Sequence, residues 1–329
     1  MAIGSGLGAQ FGIATETTRN TYVAPTLFYP GTFNVKKRFN REKLGGSAAG
    51  RHGSPGEFVT NSWAEGKYEG QVLNASFGRL FMHMFGTTVT PVQQAATTAY
   101  LQSHIWADNF GKYFTAQEGR PNRAGTPTPV TATGCKMKSL EFSCTVSGLV
   151  KVVAEFEGSV YTEAQTIAAA AYTLSRSPFN GNQMDVKLGT FGSTASVTGV
   201  KGYSIKFERP MQESTDATYA GAAGAPAEHL YNSEAMVTGT LDLDFATKAD
   251  FMDRATANTA TSLTIEHIGP IIASSYNETL RFRLPKITFG DDPFEVTGPG
   301  VVSGSLSFEA FQDANGFAFL DYMSTDTSV

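Results

Sequence analysis

Apolar and polar residues alternate with a period of two along much of this chain. In residues 202–208, Tyr203, Ile205 and Phe207 share one face, and Ser204, Lys206 and Glu208 the other. In residues 139–146 the faces are Leu140, Phe142, Cys144 and Val146 against Ser139, Glu141, Ser143 and Thr145. In residues 305–311, Leu306, Phe308 and Ala310 alternate with Ser305, Ser307, Glu309 and Phe311. Such alternation predicts half-buried antiparallel strands. Helical spacing is sparse. Phe77, Leu80, Phe81 and Met84 follow i, i+3, i+4, i+7, with Ser76 as expected N-cap and Gly86 as stop. A second short helix is expected over 247–255, capped by Thr247, with Phe251 and Met252 facing inward. Residues 165–172 read as a helical turn or a linker. The fold class expected is mainly β with one short helix in each half.

The halves resemble each other. At an offset of 170, Phe33 maps to Tyr203, Val35 to Ile205, Lys36 to Lys206, Leu73 to Leu243, Phe81 to Phe251 and Met82 to Met252. Near their ends the offset becomes 152, and Gly148 maps to Gly300, Val150 to Val302, Phe156 to Phe308 and Glu157 to Glu309. The change implies extra residues in the first half, placed in 87–112, which reads as irregular. A duplication puts the boundary near 163–180 and two domains at 1–165 and 166–329, the first with an N-terminal arm, the second ending in a short flexible C-terminus. Each half also carries a long Gly/Ala-rich loop, at 40–58 and 210–231. Loops of that length are functional or disordered. The first is rich in bases, among them Arg41, Lys43 and Arg51; the second carries Glu213, Asp216 and Glu228. Their matched places and opposite charges suggest docking onto neighbouring copies.

With 329 residues, about two domains fit. The 41% hydrophobic and 17% charged content supports a packed core. A formal charge of −5 argues against a sequence-independent nucleic-acid binder. No apolar run is long enough for a membrane helix, and the N-terminus lacks the pattern of a secretory signal. Cys135 and Cys144 are expected as reduced, buried thiols; on one continuous strand their odd spacing would put them on opposite faces.

Catalytic chemistry is not visible. The glycines of GSGLGAQFG open no βαβ unit, so no phosphate cradle is expected. His52 reads as solvated and His83 as a packed helical residue; His104, His229 and His267 lack metal-ligand spacing. No GxSxG elbow is present, and Asp291–Asp292 lies in a turn sequence. Neither an enzyme nor a cofactor or metal is expected.

Four segments, in order, carry a family likeness: GIATETTRNTYVAPTLFYPGTFNV, YEGQVLNASFGRLFMHMFG, GCKMKSLEFSCTVSGLVKVVAEFEG and RLPKITFGDDPFEVTGPGVVSGSLSFEAF. With the duplication, the chain resembles the major tail tube proteins of long, non-contractile-tailed bacteriophages, in a larger form with two tube domains. The 87–112 segment departs from the minimal pattern. The resemblance implies two tandem β-sandwich or partial-barrel domains, each flanked by a short helix. It implies a virion protein of the phage tail, assembled in the host cytoplasm. Three copies would form a ring with pseudo-sixfold symmetry (six copies, if the duplication is false), and the rings would stack into the conduit for DNA ejection. Implied partners are other copies of the chain, a tape measure protein and double-stranded DNA in the lumen without sequence-specific binding, and tail terminator and tail-tip proteins at the ends, with no membrane. Physical reasoning adds that a DNA conduit should not hold phosphate tightly. Glu155, Glu157, Asp242, Asp244 and Glu309, acids on polar strand faces, are the candidates for the lumen. Other readings are a capsid decoration or head–tail joining protein, or a carbohydrate-binding β-sandwich using Trp63 and Trp106 as stacking platforms.

Overall fold

The computed structural model describes residues 6–44, 52, 54, 56–172, 176–221, 223–296 and 298–329. In chain order the first half holds β1 (Gln10–Glu16), β2 (Leu27–Phe28), β3 (Thr32–Lys43), β4 (Glu57–Gln71), helix α1 (Gly78–Phe85), β5 (Val92–Gln93), β6 (Tyr100–Ile105), β7 (Tyr113–Pro121), β8 (Pro127–Thr145), β9 (Lys151–Gly158) and β10 (Val160–Thr162). The second holds β11 (Met184–Thr190), β12 (Ser193–Ser196), β13 (Val200–Glu208), β14 (Met236–Asp244), a π-helical turn (Lys248–Met252) running into α2 (Asp253–Thr256), β15 (Thr261–Ala273), β16 (Tyr276–Phe289), β17 (Ser303–Ala310) and β18 (Phe319–Ser324). The chain is mainly β, as its alternation predicts.

The pairings repeat. β1–β7, β7–β8, β8–β10, β3–β4, β4–β9 and β8–β9 in the first half correspond to β11–β15, β15–β16, β16–β18, β13–β14, β14–β17 and β16–β17 in the second. Between the halves β13 pairs with the end of β8. One sheet therefore runs β3–β4–β9–β8–β13–β14–β17–β16. The other strands form sheets packed behind it, and one apolar core passes through both halves. Phe142 of β8 meets Phe81 of α1, Phe207 of β13 and Phe282 of β16, with ring centroids 5.7, 6.1 and 4.7 Å apart.

Two glycines let aromatic rings lie flat against this sheet. A Cβ on Gly66 would meet the Phe156 ring at 2.1 Å, and one on Gly239 the Phe308 ring at 2.4 Å. Each glycine faces its phenylalanine across neighbouring strands. This equivalence corrects one match of the repeat. Leu243 lies buried inside β14, whereas Leu73 lies beyond β4 and bridges to Pro178.

Other expectations also change. Residues 10–16 form strand β1 rather than a free arm, paired with β7 along its length. Helix α1 ends at Gly86 in the left-handed region (φ 81°), as expected, but Ser76 does not cap it. Ser76 has φ 70°, and its N–H donates to Asp326 Oδ2 at 2.5 Å. Thr247 makes no backbone cap either; its hydroxyl donates to Asp250 Oδ2. Of the two readings of segment 165–172 the linker holds: it forms neither helix nor strand, and it is tied where Gln10 Nε2 donates to the Ala168 carbonyl at 2.6 Å and the Ala168 N–H donates to Gln117 Oε1 at 2.8 Å. The 87–112 segment is not irregular. It contains β5 and β6, and β6 pairs with β18 of the second half from Ile105↔Phe319 to Tyr100↔Ser324. The segment expected to trail as a flexible C-terminus is held by Ser76 and by Arg79, whose Nη2 donates to the Val329 carbonyl at 3.1 Å. Both cysteines lie on β8, buried and reduced. A bulge between Met137 and Ser139 adds a residue, so the odd spacing ends with both facing the core.

Candidate functional site

The long sheet has one apolar face, turned to the core, and one polar face. Cross-strand partners fix which residues share the polar side. Lys67 lies opposite Glu155, Glu155 opposite Ser139, Ser139 opposite Glu208, and Glu141 opposite Lys206. Asp242 lies opposite Ser305, Asp244 opposite Ser303, and Glu309 opposite Thr238. The five acids picked from strand faces, Glu155, Glu157, Asp242, Asp244 and Glu309, therefore share one side of one sheet. Bases stand among them. Lys67 Nζ lies 3.8 Å from Glu155, Lys138 Nζ 3.0 Å from Glu157, Lys201 Nζ 2.7 Å from Asp244, and Lys206 Nζ 2.8 Å from Glu208. Asp242 and Glu309 make no ion pair among the described residues. Exposed pairs of this kind contribute little to stability. Their effect is to hold cations against carboxylates, which lowers the face's attraction for phosphate.

The two long loops are unlike each other. Much of 40–58 is strand: β3 and β4 continue past the edge of the sheet, since β9 covers only Ala64–Gln71 of β4. The result is a protruding two-stranded ribbon with Phe39, Phe58 and Val59 exposed. Arg41 pairs with Glu57 at 2.6 Å and its guanidinium lies 5.2 Å from the Phe39 ring; Lys43 ends β3 in solvent. Arg51 lies outside the described residues. The 210–231 loop instead folds against the base of this ribbon. Asn61 Nδ2 donates to the Ser214 carbonyl at 3.1 Å and Thr218 Oγ1 at 2.8 Å, and the Ser62 N–H to the Gly224 carbonyl at 3.1 Å.

Within that loop Glu213 and Asp216 are exposed, but Glu228 is engaged inside the chain. It pairs with buried Lys136 and accepts from the Tyr113 hydroxyl and the Gly111 N–H. Burial pushes the Glu228 carboxyl up, but these partners outweigh it and hold it below its usual range. Ser214 Oγ donates to Glu157 Oε2 at 3.0 Å, with His229 Nε2 2.9 Å from the same hydroxyl. The loop thus covers part of Glu157.

Residues that sequence reasoning passed over bind the halves. Arg209 is 1% exposed. Its Nε donates to the Met84 carbonyl and its Nη2 to the Ala107 carbonyl, each at 2.6 Å, and its guanidinium lies 4.1 Å from the Trp106 ring. It places a cation at the C-terminal end of α1, where the helix dipole favours one. Trp106 is thereby covered rather than free as a stacking platform. His83, His104 and His267 are buried, and burial lowers them to about 3, 3 and 4. Among the described residues no cluster of His, Cys, Asp and Glu is placed to hold a metal ion, and no helix is long and apolar enough to cross a membrane.

No curated protein matches the chain. A family described as phage tail tube protein matches residues 6–310, nearly its whole length. With its β-rich fold, the chain belongs to the phage tail tube protein family and is a structural protein of the virion tail.

Proposed function

We propose that the chain consists of two tube domains in tandem, 1–165 and 166–329, and that three copies close a ring of pseudo-sixfold symmetry. Stacked rings form the conduit through which DNA leaves for the host. The observation that carries this reading is the β8–β13 junction, where one half adds its first long strand to the sheet of the other. A head-to-tail contact of that kind closes into a ring when its rotation permits, and closure removes the sheet edges. The polar face of the long sheet, with Glu155, Glu157, Asp242, Asp244 and Glu309, lines the lumen. Acids there keep double-stranded DNA and the tape measure protein sliding rather than bound. The ribbon that carries Arg41 and Lys43 reaches the next ring, where Glu213 and Asp216 offer opposite charge. Glu228 serves this contact indirectly, by pinning the loop to Lys136. Tail terminator and tail-tip proteins close the two ends. Among alternatives, a capsid decoration or joining protein would share the β fold but would not polymerise into open-ended tubes.

Negative-stain electron microscopy of the purified protein at high and low concentration tests this. Hollow tubes or stacked rings are expected; discrete particles under every condition, with tail-tip components present, would overturn the reading. Deleting residues 44–56 should leave folded rings that fail to stack, and normal tubes from that variant would show that the loop at the ribbon's tip is dispensable for the ring–ring contact.

A further inference from the structure

The two halves differ at their edges in one specific way. β13 is received by β8 from Gly202↔Thr145 to Glu208↔Ser139. β3 is the first-half counterpart of β13, since Val35 faces Gly66 as Ile205 faces Gly239. β16 is the counterpart of β8, since Phe289 faces Phe308 as Met137 faces Phe156. Yet β16 stops at Phe289, and residues 291–296 run without strand pairing where the matching 139–144 lie between β9 and β13. One end of the long sheet thus offers a free strand, and the other offers the unfilled place that receives it.

We infer that β3 of one copy pairs antiparallel with residues 291–296 of the next, in the register of the internal β8–β13 junction. This rests on the ring reading and names its contact. The Val35 N–H donates to Glu118 Oε2 at 2.6 Å and its carbonyl accepts from Arg120 Nη2 at 2.5 Å, so both groups point away from β4. By alternation Phe33 and Lys37 present their backbone groups to the same edge. The transferred register sets Phe33 opposite Val296, Val35 opposite Phe294 and Lys37 opposite Asp292 as the hydrogen-bonded pairs. Apolar side chains then meet apolar ones on the core side; Val296 is 80% exposed in the single chain. Lys37 and Arg38 meet Asp292 and Asp291, all four exposed, so opposite charge selects partner and register. Pro293 falls opposite Lys36 at a non-hydrogen-bonded position, where its missing N–H is not asked for by β3.

The same geometry shows what guards the edge in the single chain. The Glu118–Arg120 pair, 2.7 Å apart, occupies both backbone groups of Val35. The corresponding second-half positions are Ile265 and His267, which face Phe282 and Leu280 as Glu118 and Arg120 face Val130 and Thr128. No ion pair stands there, and Ile205 meets Phe142 of β8 instead. The pair stands in for the neighbour's strand and moves off when that strand arrives, a local form of edge protection.

Cysteines at Asn34 and Glu295 test the register. They face each other as a non-hydrogen-bonded pair, whose Cα separation of about 4.5 Å suits a disulfide. Oxidised full-length protein carrying Asn34→Cys and Glu295→Cys should give a denaturant-resistant ladder ending at three chains. The control Asn34→Cys with Pro293→Cys, two residues out of register, should stay single. Lys37→Asp and Asp292→Lys should each abolish rings, and their combination should restore them. Tubes by microscopy with no ladder, or an equal ladder from the control, would overturn the register while leaving the tube reading intact. Absence of tubes from the unmodified protein under every condition, with tail-tip components present, would overturn the tube reading itself.

Discussion

Phe142 and Phe294 hold matching places in the two halves, one at a filled junction and one at an open edge. Phe142 is fully buried beneath β13, with three aromatic neighbours. Phe294 is half-buried against Phe245, its ring centroid 5.1 Å away, in a segment without a strand partner. Local sequence does not separate them: both are phenylalanines at the same step of the repeat. The difference is that one has its receiving strand on the same chain. A strand at such a site is completed by its partner, so on the proposed tandem reading one copy would show both the finished contact and the unfinished one.

That contrast is breakable by substitution. Phe142→Ala should cost about 3–5 kcal/mol of single-chain stability, read by denaturant unfolding. Phe294→Ala should leave single-chain unfolding nearly unchanged yet abolish rings; equal losses in the two variants would mean that the sites are not matched. Next in size is Arg209→Ala. It leaves the Met84 and Ala107 carbonyls without their donor, at about 1–3 kcal/mol for each buried group left unsatisfied. A change within error would show that the cation does not tie the halves together.

Acid provides the third lever. His83, His104 and His267 titrate well below the usual imidazole range because they are buried. Unfolding restores their ordinary affinity for a proton, so their contribution is complete above about pH 6.5 and is lost as pH falls toward their folded values. Each should add about 1.4 kcal/mol per pH unit to the slope of stability in that window. His104→Leu should remove one such increment; an unchanged slope would contradict it. The smallest expected effect is that of Asp242→Asn or Glu309→Gln on the polar face, within about 0.5 kcal/mol.

Strand faces were legible wherever one side is apolar and the other polar, as in Tyr203, Ile205 and Phe207, all buried. Helix α1 was legible from four spaced apolar residues. Strand β6 was not, because it turns Gln102 and His104 into the core and Ile105 outward, inverting the usual pattern. Residues 40–43 and 57–58 of the ribbon were read as loop because they are largely exposed on both sides and lack alternation. Ser76 was misread as a cap because its partner, Asp326, lies at the far end of the chain. For the polar face, period two placed each acid on its own strand's outer side. That five acids share one surface depends on long-range pairing, which no local pattern carries.

The most direct test of the central claim is a cryo-electron microscopy map of tubes assembled from the purified chain. Three chains per ring are expected, with the polar face of β3–β4–β9–β8–β13–β14–β17–β16 lining an acidic lumen and β3 seated on residues 291–296 of the neighbour. Six chains per ring, or a basic inner wall formed by another surface, would contradict it.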